Sequence, residues 1–66
     1  MLSENIKKIR KKKGISQDRL AKLADVTHTT LVKIESGVND NPTIKTLKKI
    51  AGALGVTLDR LIEDHK

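Results

Sequence analysis

The chain has 66 residues, no cysteine, no aromatic residue and a formal net charge of +6. This length allows one domain, over residues 1–66, with a thin core that no disulfide reinforces. The two histidines, His28 and His65, lie far apart without cysteine partners, which excludes a zinc site of the usual kind and leaves short packed helices, a dimer, or both as sources of stability.

Two helices are predicted in the first third of the chain. The first runs from Ser3, as its N-cap, to Lys13, and Gly14 ends it. The second spans residues 17–24 and follows Ser16 as its N-cap. Apolar residues recur at helical spacing, and the predicted core-facing set is Leu2, Ile6, Ile9, Ile15, Leu20, Ala21, Leu23 and Ala24.

A third helix is predicted over residues 28–36, capped by Thr27 and ended by Gly37. Only residues 25–27 separate it from the second helix, and so short a link favours a crossing near a right angle. At 100° per residue, the inward side consists of Leu31, Ile34 and Glu35. His28 projects from the N-terminal end, and the outward side consists of Thr29, Val32, Lys33 and Ser36.

Residues 37–42 (GVNDNP) form a predicted turn, because they are rich in Gly, Asn, Asp and Pro. A fourth helix follows from Thr43 or Ile44 to Leu54, and a fifth, capped by Thr57, runs from Leu58 to about Asp64. Their predicted inward residues are Ile44, Leu47, Ile50, Ala51, Leu54, Leu58, Leu61 and Ile62. The predicted fold class is therefore all-α, a compact five-helix domain.

Residues 17–36 fit a helix-turn-helix, with the small Ala21 where the two helices cross and Val26 under both helices. From Ile6 to Ile62 the chain resembles the Cro/repressor (Xre-type) helix-turn-helix family. The segments that carry the resemblance are IRKKKGISQDRLAKLADV (9–26), IESG (34–37), Pro42 and LKKIAGALGVTLDRLI (47–62). The resemblance implies a repressor-like domain with a recognition helix at 28–36 and sequence-specific DNA binding, usually as a dimer on a two-fold operator.

One residue departs from the family pattern. Asp25 stands in the turn where the resembled family usually has glycine. The position requires a left-handed backbone, which aspartate tolerates better than most side chains, at a cost of about 1 kcal/mol. We therefore expect the turn to form with Asp25 in place.

The outward side of the recognition helix supplies the predicted base contacts. Lys33 can donate to O6 and N7 of guanine, while Thr29 and Val32 can contact a thymine methyl group. His28 can donate to a guanine or to a phosphate. For each of these four residues the alternative is an ordinary solvated position, although an exposed valine is harder to explain in that way.

Predicted phosphate contacts come from the N-terminus of the second helix, from the turn after the third helix and from Lys13. The resemblance implies that Gln17 binds a phosphate and braces the first side chain of the recognition helix, at a helix N-terminus that attracts anions. The turn after the third helix offers donors, but it contains Asp40 where family members often have basic residues. The predicted phosphate set is Gln17, Lys13, Ser36, Asn39 and Asn41.

The charge excess lies entirely in the first half. Residues 1–33 hold nine basic and three acidic residues, whereas residues 34–66 hold five of each. This asymmetry predicts a polyanionic partner, although a lysine-rich solvated surface also explains it. Six basic residues between 7 and 13 surround the first helix and cannot all face a duplex, so Lys13, nearest the second helix, is the predicted contact. The resemblance implies that Arg10 instead pairs with Glu35.

The predicted function is a sequence-specific DNA-binding transcriptional regulator, a repressor or controller. The alternative is an antitoxin-like or adaptor module whose main partner is another protein. Either can dimerise through the fifth helix, with Leu58, Leu61 and Ile62. Without a nucleophilic cysteine, a metal cluster or a phosphate-binding loop, we expect no enzyme, no cofactor and no small-molecule ligand. We also expect a cytoplasmic protein that neither enters nor coats a membrane, because it lacks a long apolar run, a signal peptide and aromatic anchors.

Overall fold

The computed structural model describes residues 2–63, which form five α-helices and no strand. The helices are α1 (Leu2–Lys12), α2 (Gln17–Ala24), α3 (His28–Glu35), α4 (Ile44–Leu54) and α5 (Leu58–Ile62). The predicted all-α five-helix fold is confirmed. None of these helices is both long and apolar enough to cross a membrane. Asp64, at the predicted end of the fifth helix, and His65 lie outside the described residues.

Side-chain hydroxyl groups begin four of the five helices. The hydroxyl oxygens of Ser16, Thr27, Thr43 and Thr57 each accept the backbone N–H of the residue three positions later, at 3.0 to 3.2 Å. Each bond satisfies an N–H group that has no acceptor inside the helix. The prediction for the first helix was wrong by one residue, because α1 begins at Leu2 and Ser3 lies inside its first turn.

Left-handed residues follow the ends of the first four helices. Gly14, Gly37 and Gly55 have φ values of 72°, 84° and 71°, and Asp25 has φ 57° and ψ 45°. The N–H of Val26 donates to the carbonyl oxygen of Ala21 at 3.0 Å, as in a Schellman motif. Asp25 therefore adopts the conformation expected of the turn glycine that it replaces.

The core lies where α2 meets α3 and α4, and where α1 meets α3 and α5. Val26 from the helix-turn-helix link and Ile15 from the link before α2 are partly buried against it. These contacts hold α3 against both α1 and α2. The buried cluster consists of Ile6, Leu20, Ala21, Ala24, Leu31, Ile34, Ile50, Ala51, Leu54 and Leu61.

Three predicted inward residues lie on the surface instead. Leu23 is 50% exposed, Ile44 is 57% exposed and Ile62 is 49% exposed. Leu23 falls about 60° beyond the arc of α2 that Leu20 and Ala24 share, at 100° per residue. Ile44 and Ile62 occupy the first and last positions of their helices. These three predictions were wrong because helical periodicity gives the direction of a side chain and not whether a neighbouring helix covers it.

Candidate nucleic-acid interface

The two flanks of α3 have opposite environments. On the inner flank Leu31 and Ile34 are fully buried in the core cluster. On the outer flank Thr29, Val32 and Lys33 are exposed. Val32 is an apolar side chain at 36% exposure in the middle of this surface. The helix therefore presents a hydroxyl, a branched apolar group and an ammonium group along one face.

A buried carboxylate fixes the C-terminal end of α3. Glu35 accepts two hydrogen bonds from Arg10, at 2.7 Å from Nε to Oε2 and at 3.0 Å from Nη2 to Oε1. The side chains of Glu35 and Arg10 are only 1% and 11% exposed. Nη1 of Arg10 also donates to the carbonyl oxygen of Ile15 at 2.8 Å. The pair thus ties α3 to α1 and to the link before α2.

Gln17 joins the same network from the first position of α2. Its Nε2 donates to Oε1 of Glu35 at 3.2 Å. An amide nitrogen carries two hydrogens, so Gln17 keeps one donor beyond this bond. Its phosphate contact stays a prediction. The structure adds that the amide already connects the N-terminus of α2 to the C-terminus of α3.

The N-terminal end of α3 is organised by a pair of threonines. The hydroxyl of Thr27 accepts the N–H of Thr30 and also donates to the Thr30 hydroxyl at 2.7 Å. His28 and Thr29, between them, are both exposed. The first turn of α3 therefore has one capped N–H group and two outward side chains beside the base-contact candidates further along.

The turn after α3 is closed by its own polar groups. The hydroxyl of Ser36 donates to the carbonyl oxygen of Lys33 at 3.2 Å, and the N–H of Asn39 donates to the same oxygen at 2.9 Å. Oδ1 of Asn39 accepts the N–H of Asn41 at 3.1 Å. The side-chain donors that remain are the amide groups of Asn39 and Asn41, with the exposed carboxylate of Asp40 between them. The phosphate contacts of Ser36, Asn39 and Asn41 stay predictions.

The side chain of Lys13 lies among residues of α1, α5 and the link between α4 and α5. Its ammonium group is next to Gly55, in the link between α4 and α5. It lines a cavity with Val56 and Arg60, and no residue of α2 or α3 is part of that lining. Its phosphate contact stays a prediction.

Two contacts of this region were missed by sequence reasoning. Nζ of Lys49 on α4 is 3.5 Å from the carbonyl oxygen of Asp25, so a cation lies beside the helix-turn-helix link. The contact between Gln17 and Glu35 joins residues that are 18 apart. Residues so far apart in the sequence produce no local pattern that would reveal their contact. Only the α2–α4 and α2–α3 packing brings these groups together.

Comparison with known proteins gives matches along nearly the whole chain. A family model described as helix-turn-helix matches residues 6–61. The HTH-type transcriptional regulator SinR of Bacillus subtilis (strain 168) is 36% identical over 64 residues, which cover 97% of this chain and 58% of SinR. The HTH-type transcriptional regulator SlrR of the same strain is 40% identical over 63 residues, which cover 96% of this chain and 41% of SlrR. The chain spans about half the length of these curated relatives.

Solved structures of SinR match the fold. The master regulator for biofilm formation SinR in complex with DNA superposes with a TM-score of 0.92 at 36% identity, over 96% of this chain and 100% of that chain. The SinR/SinI protein complex also gives a TM-score of 0.92, over 97% of this chain and 62% of that chain. The N-terminal DNA-binding domain of SinR from Bacillus subtilis gives 0.91 at 37% identity.

Proposed function

The chain belongs to the Cro/repressor (Xre-type) helix-turn-helix family, and from that membership we propose that it is a sequence-specific DNA-binding transcriptional regulator. In this proposal the protein is cytoplasmic and acts as a repressor or controller on a two-fold operator. Its helix α3 enters the major groove. His28, Thr29, Val32 and Lys33 contact base edges. Gln17, Ser36, Asn39 and Asn41 contact phosphates, with Lys13 as a further candidate.

One observation carries the proposal. The outer flank of α3 is exposed along its length, while its inner flank is buried and its last residue is fixed by an ion pair. A helix that reads base edges needs this combination, because it must hold its side chains in register while leaving them uncovered. The structural match to SinR bound to DNA supports the same use of this surface.

We propose a homodimer that uses Ile62, one residue of the set that the sequence suggested. Leu61 is fully buried in the monomer core and cannot contact a second copy, so that part of the prediction was wrong. Ile62, the last residue of α5, is half exposed. It borders a cleft of about 280 Å³ that Leu2, Ile34 and Gly37 also line. Because this cleft adjoins the end of α3, a two-fold contact at Ile62 would bring two recognition helices toward one face.

Selection of bound sequences from a random duplex pool tests the proposal. We expect a palindrome whose half-site centres lie about one helical turn, roughly 34 Å, apart. Titration of random duplex should give a log–log salt dependence with a slope of several units, because phosphate contacts release counterions. No enriched sequence, together with a slope near zero, would contradict DNA binding. Enrichment of a single unrepeated half-site would contradict only the dimer.

The antitoxin-like or adaptor function remains the second candidate. The SinR/SinI complex among the structural matches shows that a protein of this fold occurs with a protein partner. Such a partner does not exclude DNA binding, because the two can use different surfaces. The salt dependence separates the candidates, since a module with only protein partners would not bind random duplex in this way.

A further inference from the structure

A groove with a basic rim runs along the seam between α1 and α5. Two adjoining cavities, of about 210 and 350 Å³, share Ile9 and Arg60. Ile9 and Val56 are partly buried against the core and form an apolar floor. The remaining lining residues are Asn5, Lys8, Lys12 and Lys13.

The rim carries more positive charge than its surroundings neutralise. Arg60 pairs with Glu63 at 3.1 Å, and both side chains are partly exposed. None of the ion pairs formed within residues 2–63 involves Lys8, Lys12 or Lys13. Asp59, the carboxylate of α5, is exposed one position before Arg60. Three lysines therefore face the groove with no carboxylate of residues 2–63 bound to them.

The DNA-binding proposal uses no residue of this groove except Lys13, the further candidate for a phosphate contact. None of its lining residues belongs to α2, α3 or the link between them. On α1 the residues Asn5, Lys8, Ile9 and Lys12 share one side, whereas Lys7 and Lys11 lie outside the groove lining, about 100° around the helix from Lys8 and Lys12. Half of the basic run in residues 7–13 thus borders a concave apolar surface away from the recognition helix.

We propose that the α1–α5 groove binds an acidic amphipathic segment of a partner protein. Apolar side chains of the segment occupy the floor at Ile9 and Val56, and its carboxylates lie against Lys8, Lys12 and Lys13. The groove is concave and partly apolar, which suits an anchor side chain of a helix laid into it. A DNA backbone presents phosphates and no apolar anchor, so it would leave the floor unoccupied. The complementary charge selects an acidic segment over a neutral one.

The test uses the whole chain and a synthetic probe. The probe is a helical peptide of about 15 residues with leucines at positions i, i+4 and i+7 and glutamates on both sides of them. NMR amide shifts of the labelled protein should change around Ile9, Lys12 and Arg60, while those of Thr29 and Val32 should not. A peptide of equal charge with the leucines replaced by serine should bind at least about tenfold more weakly, because it lacks the anchors.

Two charge-matched double variants supply the control. Lys8→Glu with Lys12→Glu changes the groove, and Lys7→Glu with Lys11→Glu makes the same charge change on α1 outside the groove lining, about 100° further around the helix. All four lysines are exposed, so both variants should fold. We expect the groove variant to bind the leucine peptide about tenfold more weakly and the control to change affinity less than about twofold. Random duplex DNA should bind the two variants equally.

Three results would overturn the proposal. Equal loss of peptide binding in both variants would show attraction by net charge alone. Equal binding of the serine peptide would show that the apolar floor has no role. Shifts at Ile9 and Arg60 on adding duplex DNA, lost only in the groove variant, would assign the groove to nucleic acid. Each of these results is compatible both with DNA binding through α3 and with its absence.

Discussion

Asp25 keeps a left-handed backbone without the freedom of glycine. Its φ of 57° and ψ of 45° lie in a region that a β-carbon makes unfavourable. The position is exposed, so the aspartate side chain is not needed to fill the core. The strain is local and is removed when the β-carbon is removed.

Asp25→Gly should therefore stabilise the protein. We expect a gain of about 1 kcal/mol and a melting temperature higher by roughly 4–8 °C for a domain of this size. Thermal unfolding followed by circular dichroism measures the change in melting temperature. Asp25→Ala is the control and should lower the melting temperature, because it keeps the β-carbon and loses the local polarity of aspartate. A lower melting temperature for Asp25→Gly would contradict the strain argument.

Lys33 is the charged residue on the outer flank of α3, and we expect it to discriminate between bases. Lys33→Ala should reduce the preference for the selected operator over a variant with one changed base pair by about 1–3 kcal/mol. Lys7→Ala removes the same charge from an exposed position of α1 and should weaken all duplexes alike. Competition binding at fixed salt measures both. Equal losses on operator and random DNA for Lys33→Ala would remove it from the base-reading residues.

At the level of elements, α3 is held by its neighbours more than by its own length. It has eight residues, and isolated helices shorter than about 12 residues are marginal in water. Packing of Leu31 and Ile34 and the bonds of Glu35 to Arg10 and Gln17 supply the missing stability. The position of the recognition helix thus depends on residues of α1 and α2.

Removing one partner of the Arg10–Glu35 ion pair should lower the free energy of unfolding strongly, whereas replacing both partners by apolar residues should lower it much less. Glu35→Leu leaves the largely buried guanidinium of Arg10 without its carboxylate and should cost about 3–5 kcal/mol. Arg10→Met combined with Glu35→Leu removes both charges and should regain most of that loss. Urea unfolding measures the free energies. If Glu35→Leu costs less than about 1 kcal/mol, the pair does not hold α3 in place.

The helix bounds were largely predictable because their signals are local. A capping hydroxyl group acts within three residues, and a left-handed residue ends the helix that it follows. Burial was less predictable, as Leu23 and Ile44 illustrate, because it depends on neighbours distant in sequence. The Arg10–Glu35 pair was inferred only through the family resemblance. The bond from Gln17 to Glu35 had no signal in the sequence at all.

At the scale of the whole molecule, the candidate binding surfaces lie on different helices. The first half of the chain supplies the entire net charge of +6, part of it around the α1–α5 groove. Ile62 lies by another cleft, close to the end of α3. The proposed surfaces for DNA, for a second copy and for an acidic partner are therefore separate.

Ile62→Glu should weaken dimer formation and leave the monomer folded. Ile62 is half exposed, so the substitution should change the unfolding free energy by less than about 1 kcal/mol. Operator binding should weaken at least about tenfold, while binding to an isolated half-site should change little. Leu23→Glu, at an equally exposed apolar residue of α2, is the control. An unchanged operator affinity for Ile62→Glu would exclude this surface from the dimer.

The brevity of the helices has a thermodynamic consequence. No helix within residues 2–63 exceeds 11 residues, so none should persist once its neighbours are lost, and the domain should melt as one cooperative unit. The recognition helix is therefore already ordered before it meets a duplex. The heat capacity change of association should then match the surface that the two molecules bury, without the additional contribution that accompanies coupled folding.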